Sequence, residues 1–179
     1  MTVLETERLI LRRFNVDDAE FTLKLVNEPS FLRYIGDRQV RSVQDARQYI
    51  LNGPVASYER NQFGLNLVEL REVPTPIGMC GLLKREELSS PDIGFAFLPQ
   101  FWNKGFAFEA ATAVLQDARE RLRLERVLAI TSLDNDASIK LLERLGFRFE
   151  SVITLPATGE QVKLFAIELV SLPELTSPP

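Results

Sequence analysis

Histidine is absent from the 179-residue chain, and cysteine occurs once, as Cys80. Without an imidazole, Ser-His-Asp and Cys-His catalysis and histidine metal triads are excluded, and proton transfer falls to carboxylates, hydroxyls, amines, backbone or water. One cysteine forms no intrachain disulfide and builds no cysteine-rich zinc site, which fits a reducing compartment; no metal is expected. Within Gly78-Met79-Cys80-Gly81 that thiol has no histidine to activate it and reads as a small packing residue. No uninterrupted apolar stretch approaches the ~18 residues of a membrane span, and Met1 to Glu7 carries neither the basic nor the apolar region of an export signal. The expected location is therefore cytoplasmic, with no membrane partner. An excess of positive charge is missing too: the formal net charge is -4, which argues against direct nucleic-acid binding and requires any phosphate site to be built locally.

A hydrophobic content of 45% is enough for the core of one ordinary domain. With no repeat, linker or low-complexity tract, residues 1–172 are expected to form a single domain, and the Pro-rich segment 173–179 a loose tail. Thr6 to Phe14 has the composition of an opening strand, and Asn15 to Asp18 offers caps for a helix over Ala19 to Val26. Asn27 to Gln39 is expected to be a partly ordered loop. Ser42-Val43-Gln44-Asp45 reads as a second cap, with Val43, Ala46, Ile50 and Leu51 on one helical face. Gly64 to Glu69, Ile77 to Leu83 and Asp92 to Leu98 follow as successive strands that suggest an antiparallel block.

Beyond Gly105 the period changes. Ala107, Ala110, Ala111, Val114, Leu115, Ala118 and Leu122 recur at helical spacing and predict the longest helix. Arg126 to Thr131 reads as a buried strand, Asp136 to Leu145 as a helix stopped by Gly146, and Phe147 onward and Lys163 to Leu169 as closing strands. The fold class is α+β with a mixed sheet.

Two segments carry the chemistry. Phe97-Leu98-Pro99-Gln100-Phe101-Trp102-Asn103-Lys104-Gly105-Phe106-Ala107 places a strand end, a turn and a glycine before the longest helix. Free N–H groups at a helix start, reinforced by the helix dipole, bind anions without net positive charge. The absence of a Gly-Lys-Ser/Thr ending disfavours a nucleotide-hydrolysing loop. Asn135-Asp136-Ala137-Ser138 through Leu145-Gly146-Phe147 follows a second buried strand. Taken alone, Asn135 reads as a cap, Ser138 as a surface hydroxyl, and the glycine turn as a connection.

Together the two segments resemble the GNAT N-acetyltransferase superfamily, the first its acyl-CoA pyrophosphate motif and the second its Asn-x-x-Ser/Ala helix ending in Leu-Gly-Phe. Thr6-Glu7-Arg8-Leu9, Asp92-Ile93-Gly94-Phe95 and Trp102-x-Lys-Gly-x-Ala-x-Glu-Ala are similar to the branch of ribosomal-protein N-terminal acetyltransferases. The resemblance implies a mixed, mostly antiparallel sheet flanked by helices, and acetyl transfer from acetyl-CoA to a primary amine, either a protein N-terminal α-amine or a small molecule, in a ternary complex. It further implies that Trp102, Asn103, Lys104, Gly105, Phe106 and Ala107 cradle the pyrophosphate, and that Phe95, Ala96 and Phe97 bind pantetheine. By the same resemblance Asn135 contacts the pantetheine arm, Ser138 lies near the thioester sulfur, and Asp92 is the base, acting through a water; taken alone, Asp92 reads equally as an exposed aspartate at the start of a strand. Removal of that carboxylate is expected to depress activity most at low pH. A homodimer is a further expectation.

The sequence departs from the family pattern at Asn103 in place of glycine, at Phe108 in place of a small hydroxyl residue, and at Leu142 in place of a tyrosine that protonates the leaving thiolate. Those departures keep a non-catalytic acyl-CoA-binding or sensing module as the alternative. A further reading, an interaction domain with an architectural glycine turn, also remains. Phe31, Tyr34, Phe95, Phe101 and Trp102 are candidates for the wall of an acceptor pocket. Glu109, in the first helical turn, is given a structural role at the helix N-terminus.

Overall fold

The computed structural model describes residues 1–169; the expected tail from 173, and the end of the 1–172 unit, lie outside them. Five strands run antiparallel in chain order: β1 (Thr2–Glu5), β2 (Leu9–Arg13), β3 (Leu65–Leu70), β4 (Pro76–Leu83) and β5 (Asp92–Phe97). Helix α5 (Phe106–Glu120) carries the chain over to β6 (Arg126–Ser132), which lies parallel to β5. Finally β8 (Gln161–Glu168) inserts between β6 and β7 (Arg148–Thr154), so the sheet order is β1-β2-β3-β4-β5-β6-β8-β7. The mixed, mostly antiparallel sheet is the expected one.

Helices cover both faces because the strands alternate apolar residues to both sides. On β3, Val68 packs with α5 residues Ala110, Ala111, Val114 and Ala118, whereas its neighbour Leu67 joins the opposite cluster. That cluster holds Leu25 and Val26 of α1 (Ala19–Val26), Phe31 of α2 (Pro29–Tyr34), and Ala46 and Ile50 of α3 (Val43–Ile50). The α5 face also carries Leu142 of α6 (Asp136–Arg144). No described helix is long and apolar enough to cross a membrane.

Ser42 and Asp45 form a reciprocal box at the start of α3, as expected; Asn15 and Asp18 also form one, but around a 3-10 turn, Val16–Asp18, that leads into α1, whose own start has no side-chain cap. Gly146, at φ 96°, ends α6, and the Phe147 N–H returns to the Leu142 carbonyl at 3.0 Å. Local structure differs from expectation in three places. The opening strand expected over Thr6 to Phe14 forms as the shorter β2, and an unexpected strand, β1, precedes it: Thr6 closes a turn onto Leu9, and β1 pairs with β2 with an irregularity between Thr2 and Leu4. The loop over 27–39 contains α2, a helix too short to show a period; Pro29 starts it and burial of Phe31 anchors it. The chain after Ile50 stays helical through a wide turn, Leu51–Val55, and α4 (Ala56–Asn61). Pro54 lies inside that turn, whose widened register accommodates its missing N–H.

Candidate active site

Strands β5 and β6 meet at one register position, Asp92 opposite Leu128, where the Leu128 N–H donates to the Pro91 carbonyl at 2.9 Å. Peptide groups alternate sides along a strand. Those of Pro91, Ile93, Phe95 and Phe97 therefore face β6, while those of Asp92, Gly94 and Ala96 face β4, as does Leu98, whose N–H bonds the Ile77 carbonyl at 2.9 Å. After Ile93 the parallel ladder stops, leaving the Phe95 N–H and C=O and the Phe97 N–H without a strand partner among the described residues. The Phe97 carbonyl is taken by the indole Nε1–H of Trp102 at 2.8 Å. Ala96, grouped with Phe95 and Phe97 by the resemblance, turns its peptide groups toward β4, opposite Met79. The result is an unzipped seam inside the sheet, lined by strand backbone.

At the end of β5 the chain turns through Trp102 to Gly105, all exposed, into α5. Asn103 adopts φ 59° and Gly105 φ 81°, so the residue standing where the family has glycine takes the left-handed backbone that asparagine tolerates. No side chain caps α5. Its first intrahelical bond runs from the Glu109 N–H to the Gly105 carbonyl at 3.0 Å, which leaves the N–H groups of Phe106, Ala107 and Phe108 without helical acceptors. Seam and open helix end are adjacent because α5 starts where β5 stops.

Glu109 does not cap that end. Its carboxylate accepts from Thr6 Oγ1 at 2.6 Å, from the Arg8 backbone N–H at 2.9 Å and from Arg8 Nε at 2.6 Å. Phe108, where the family has a hydroxyl, lies under the Arg144 guanidinium, 4.6 Å from its ring centre, and so joins α5 to α6. Lys104 sets its ammonium 5.7 Å from the centre of the Phe101 ring.

Across the seam, Asn135 is the N-cap of α6, its side-chain oxygen accepting the Ser138 N–H at 3.2 Å. Asn135 and Ser138 are both half-buried. Leu142 is a core residue, 1% exposed, so α6 presents no phenol at that position. At the end of β6, Ser132 Oγ donates to the Tyr34 carbonyl at 3.1 Å, and Arg33 pairs with Asp134 at 2.9 Å; α2 is thereby tied to the β6–α6 turn.

Asp92 lies on the sheet face opposite α5, 1% exposed, with both oxygens bonded by Arg85 Nε at 3.1 and 3.0 Å. Burial pushes its pKa up to about 6, against the opposing pull of the Arg85 cation. A carboxylate so tuned changes charge close to neutral pH. Arg85 had no signal in the sequence, because it comes from an irregular loop after β4. Cys80 is fully buried in apolar surroundings, which raises its pKa and agrees with a packing role.

The five aromatics proposed for an acceptor wall lie in different surroundings. Phe31 is in the core below α1 to α3, Phe95 packs on the α5 side, and Trp102 is exposed with its indole bonded to Phe97. Phe101 packs at the edge of both clusters, and the Tyr34 ring lies under the Arg33 guanidinium. A cleft of about 400 Å³ on the Asp92 side of the sheet is lined instead by Arg38, Asp45, Gln48, Tyr49 and Asn52. Burial raises the pKa of the Tyr49 phenol, and the cations Arg38 and Arg85 oppose the rise.

A sequence-family description, acetyltransferase (GNAT) domain, matches residues 8–148. The chain belongs to the GNAT acetyltransferases. It is similar to YoaA of Bacillus subtilis strain 168, an uncharacterised N-acetyltransferase, at 30% identity over 153 residues, covering 84% of this chain and 85% of YoaA. A GNAT-family acetyltransferase crystal structure from Bacillus anthracis superposes with a TM-score of 0.77 at 26% identity, over 94% of this chain and 99% of that one. The fold is also shared with RimL, a ribosomal L7/L12 α-N-protein acetyltransferase determined with coenzyme A, at a TM-score of 0.80 and 18% identity, over 94% and 98% of the two chains. This GNAT enzyme is thus an acetyltransferase whose unzipped seam and open helix end lie within the matched segment.

Proposed function

We propose that this GNAT enzyme transfers the acetyl group of acetyl-CoA to a primary amine by direct attack in a ternary complex. The observation that carries the proposal is the seam between β5 and β6 running into the uncapped start of α5. Pantetheine, with its two amides, suits a strand edge that offers the Phe95 N–H and C=O and the Phe97 N–H. The pyrophosphate suits the backbone of Asn103 to Ala107, where N–H groups and the helix dipole favour an anion. Trp102 holds the Phe97 carbonyl away from the ligand, and Ala96 supplies the residue between the two donors. The Asn135 amide nitrogen, left over from capping, faces the pantetheine arm in this reading.

In the reaction the amine nitrogen forms a bond to the thioester carbonyl carbon as the carbon–sulfur bond breaks. One proton leaves the amine and one reaches the departing thiolate. Asp92, buried beneath Arg85, takes the amine proton through a water rather than directly. Backbone N–H groups of the seam stabilise the developing oxyanion. A thiol of reference pKa ~8.5 is a good leaving group, so the core residue Leu142 does not preclude turnover, and Ser138 hydrogen-bonds the departing sulfur. The motif at Thr6 to Leu9, similar to the ribosomal-protein branch, is what favours a protein N-terminal α-amine as acceptor over a small-molecule amine; the fold, shared with both RimL and a spermidine N-acetyltransferase, does not choose between them. Such an amine, with a reference pKa of ~7.7–8.0, is already partly neutral near pH 7.

Calorimetric titration with acetyl-CoA, on wild type and Gly105→Val, tests the donor site. Saturable binding near one equivalent by wild type and its loss in a folded Gly105→Val protein is the expected result; equal affinities would remove the phosphate cradle. A panel of peptide N-termini and polyamines then tests transfer. Binding without acetylation of any amine would favour the non-catalytic acyl-CoA module.

A further inference from the structure

We infer that the β1–β2 turn is a working part of the donor site, with Arg8 as the positioning residue that holds the Asn103–Gly105 turn in its anion-binding shape. The inference rests on the donor reading above and goes beyond it, because Arg8 acts through the turn rather than on the reacting atoms.

The turn contains two left-handed residues, Asn103 and Gly105, flanking Lys104. It is exposed, and no side chain caps the helix that follows it. What fixes it comes from the far end of the sequence: Arg8 Nη1 donates to the Lys104 carbonyl, between the two left-handed residues, at 2.9 Å. The guanidinium is itself held on other sides, by Glu109 at 2.6 Å through Nε and by the Phe106 ring, whose centre is 4.5 Å from the Arg8 Cζ. A Cβ placed on Gly105 would come within 3.2 Å of Arg8 Nη2, so the arginine lies directly against the turn. Thr6 completes the arrangement by donating its hydroxyl to Glu109.

The electrostatics point the same way. A carboxylate in the first turn of α5 would ordinarily interact with the free N–H groups and repel a phosphate. Here Glu109 is turned out and neutralised by Arg8, which leaves the N–H groups of Phe106 to Phe108 open to an anion. Thr6, Arg8 and Glu109 thus form one device, although Arg8 and Glu109 stand 101 positions apart in the chain.

The test compares two acetyl donors, acetyl-CoA and acetylpantetheine, which lacks the pyrophosphate. Arg8→Ala is expected to raise the Kd and KM for acetyl-CoA about tenfold, the effect of losing a charge-assisted hydrogen bond, with kcat and the KM for the amine unchanged. With acetylpantetheine the same variant is expected to match wild type. Glu109→Gln keeps an acceptor for Thr6 but loses the charge, and is expected to shift the acetyl-CoA KM in the same direction. Arg8→Lys, which cannot reach Glu109 and Lys104 together, is expected to rescue only part of the loss. Equal losses with both donors, or none with acetyl-CoA, would overturn the inference. Wild-type protein that does not bind acetyl-CoA would instead overturn the donor reading and this inference with it. A thermal melt of each variant separates a folding defect from a defect of the turn.

Discussion

Asp92 shows what burial does to a residue that the sequence could single out but not characterise. As an open strand-start carboxylate it would titrate in the ordinary acidic range, and its removal would matter most at low pH. Buried, with a pKa pushed up to about 6, it is itself protonated below that value. The difference in activity between wild type and Asp92→Asn is therefore expected above pH 6 and should vanish below it, the reverse of the expectation for an exposed base. A kcat/KM profile of the free enzyme should show an acidic limb near pH 6 that Asp92→Asn removes and that Arg85→Gln moves to higher pH, since loss of the cation favours the neutral acid. An unchanged limb in Asp92→Asn would return Asp92 to a structural role. The linkage has the matching sign: a carboxyl whose folded pKa is raised favours the fold most below its unfolded pKa, and that contribution is lost as pH rises through about 6.

At the level of elements, alternation along β5 divides its amides into two groups that no composition could distinguish. Gly94 and Ala96 face β4, while Phe95 and Phe97 face the open seam. Saturating acetyl-CoA is expected to slow hydrogen exchange at Phe95 and Phe97 and to leave Ala96, already in the antiparallel ladder, nearly unchanged. Uniform protection along β5, or none at Phe95, would count against pantetheine in the seam. The long helix α5 was legible from its period and its glycine, as was α6 from Asn135 and Gly146. The short helices α2 and α4 were not, because six residues hold too few turns for a period and their stability comes from packing.

For the molecule as a whole, the seam separates β1–β5 from β6–β8, which share one register pair and are otherwise joined by α5, by the core beneath it and by the contacts of α2 with the β6–α6 turn. A donor filling it ties the two halves together. At a concentration about 100 times its Kd, acetyl-CoA is expected to add about 2.7 kcal/mol of stability. For a chain of this size that corresponds to a rise in Tm of roughly 5–10 °C. Differential scanning calorimetry checks it, and an unchanged melting temperature at saturating acetyl-CoA would refute binding of the donor to the folded protein.

The sequence by itself determined the chemical repertoire and most of the framework. A chain with no histidine leaves proton transfer to carboxylates and other groups, the helical spacing of apolar residues gives α5, and apolar runs between turn residues give β4 and β5. Only the tertiary structure decided which groups meet. Arg85 reaches Asp92 from a loop, Arg8 reaches Lys104 and Glu109 from the β1–β2 turn, and Leu142 is drawn into the core rather than the seam. Period and capping are local and are written in neighbouring residues. Burial, and contact between residues as far apart as Arg8 and Glu109, exist only once the sheet has brought its strands together.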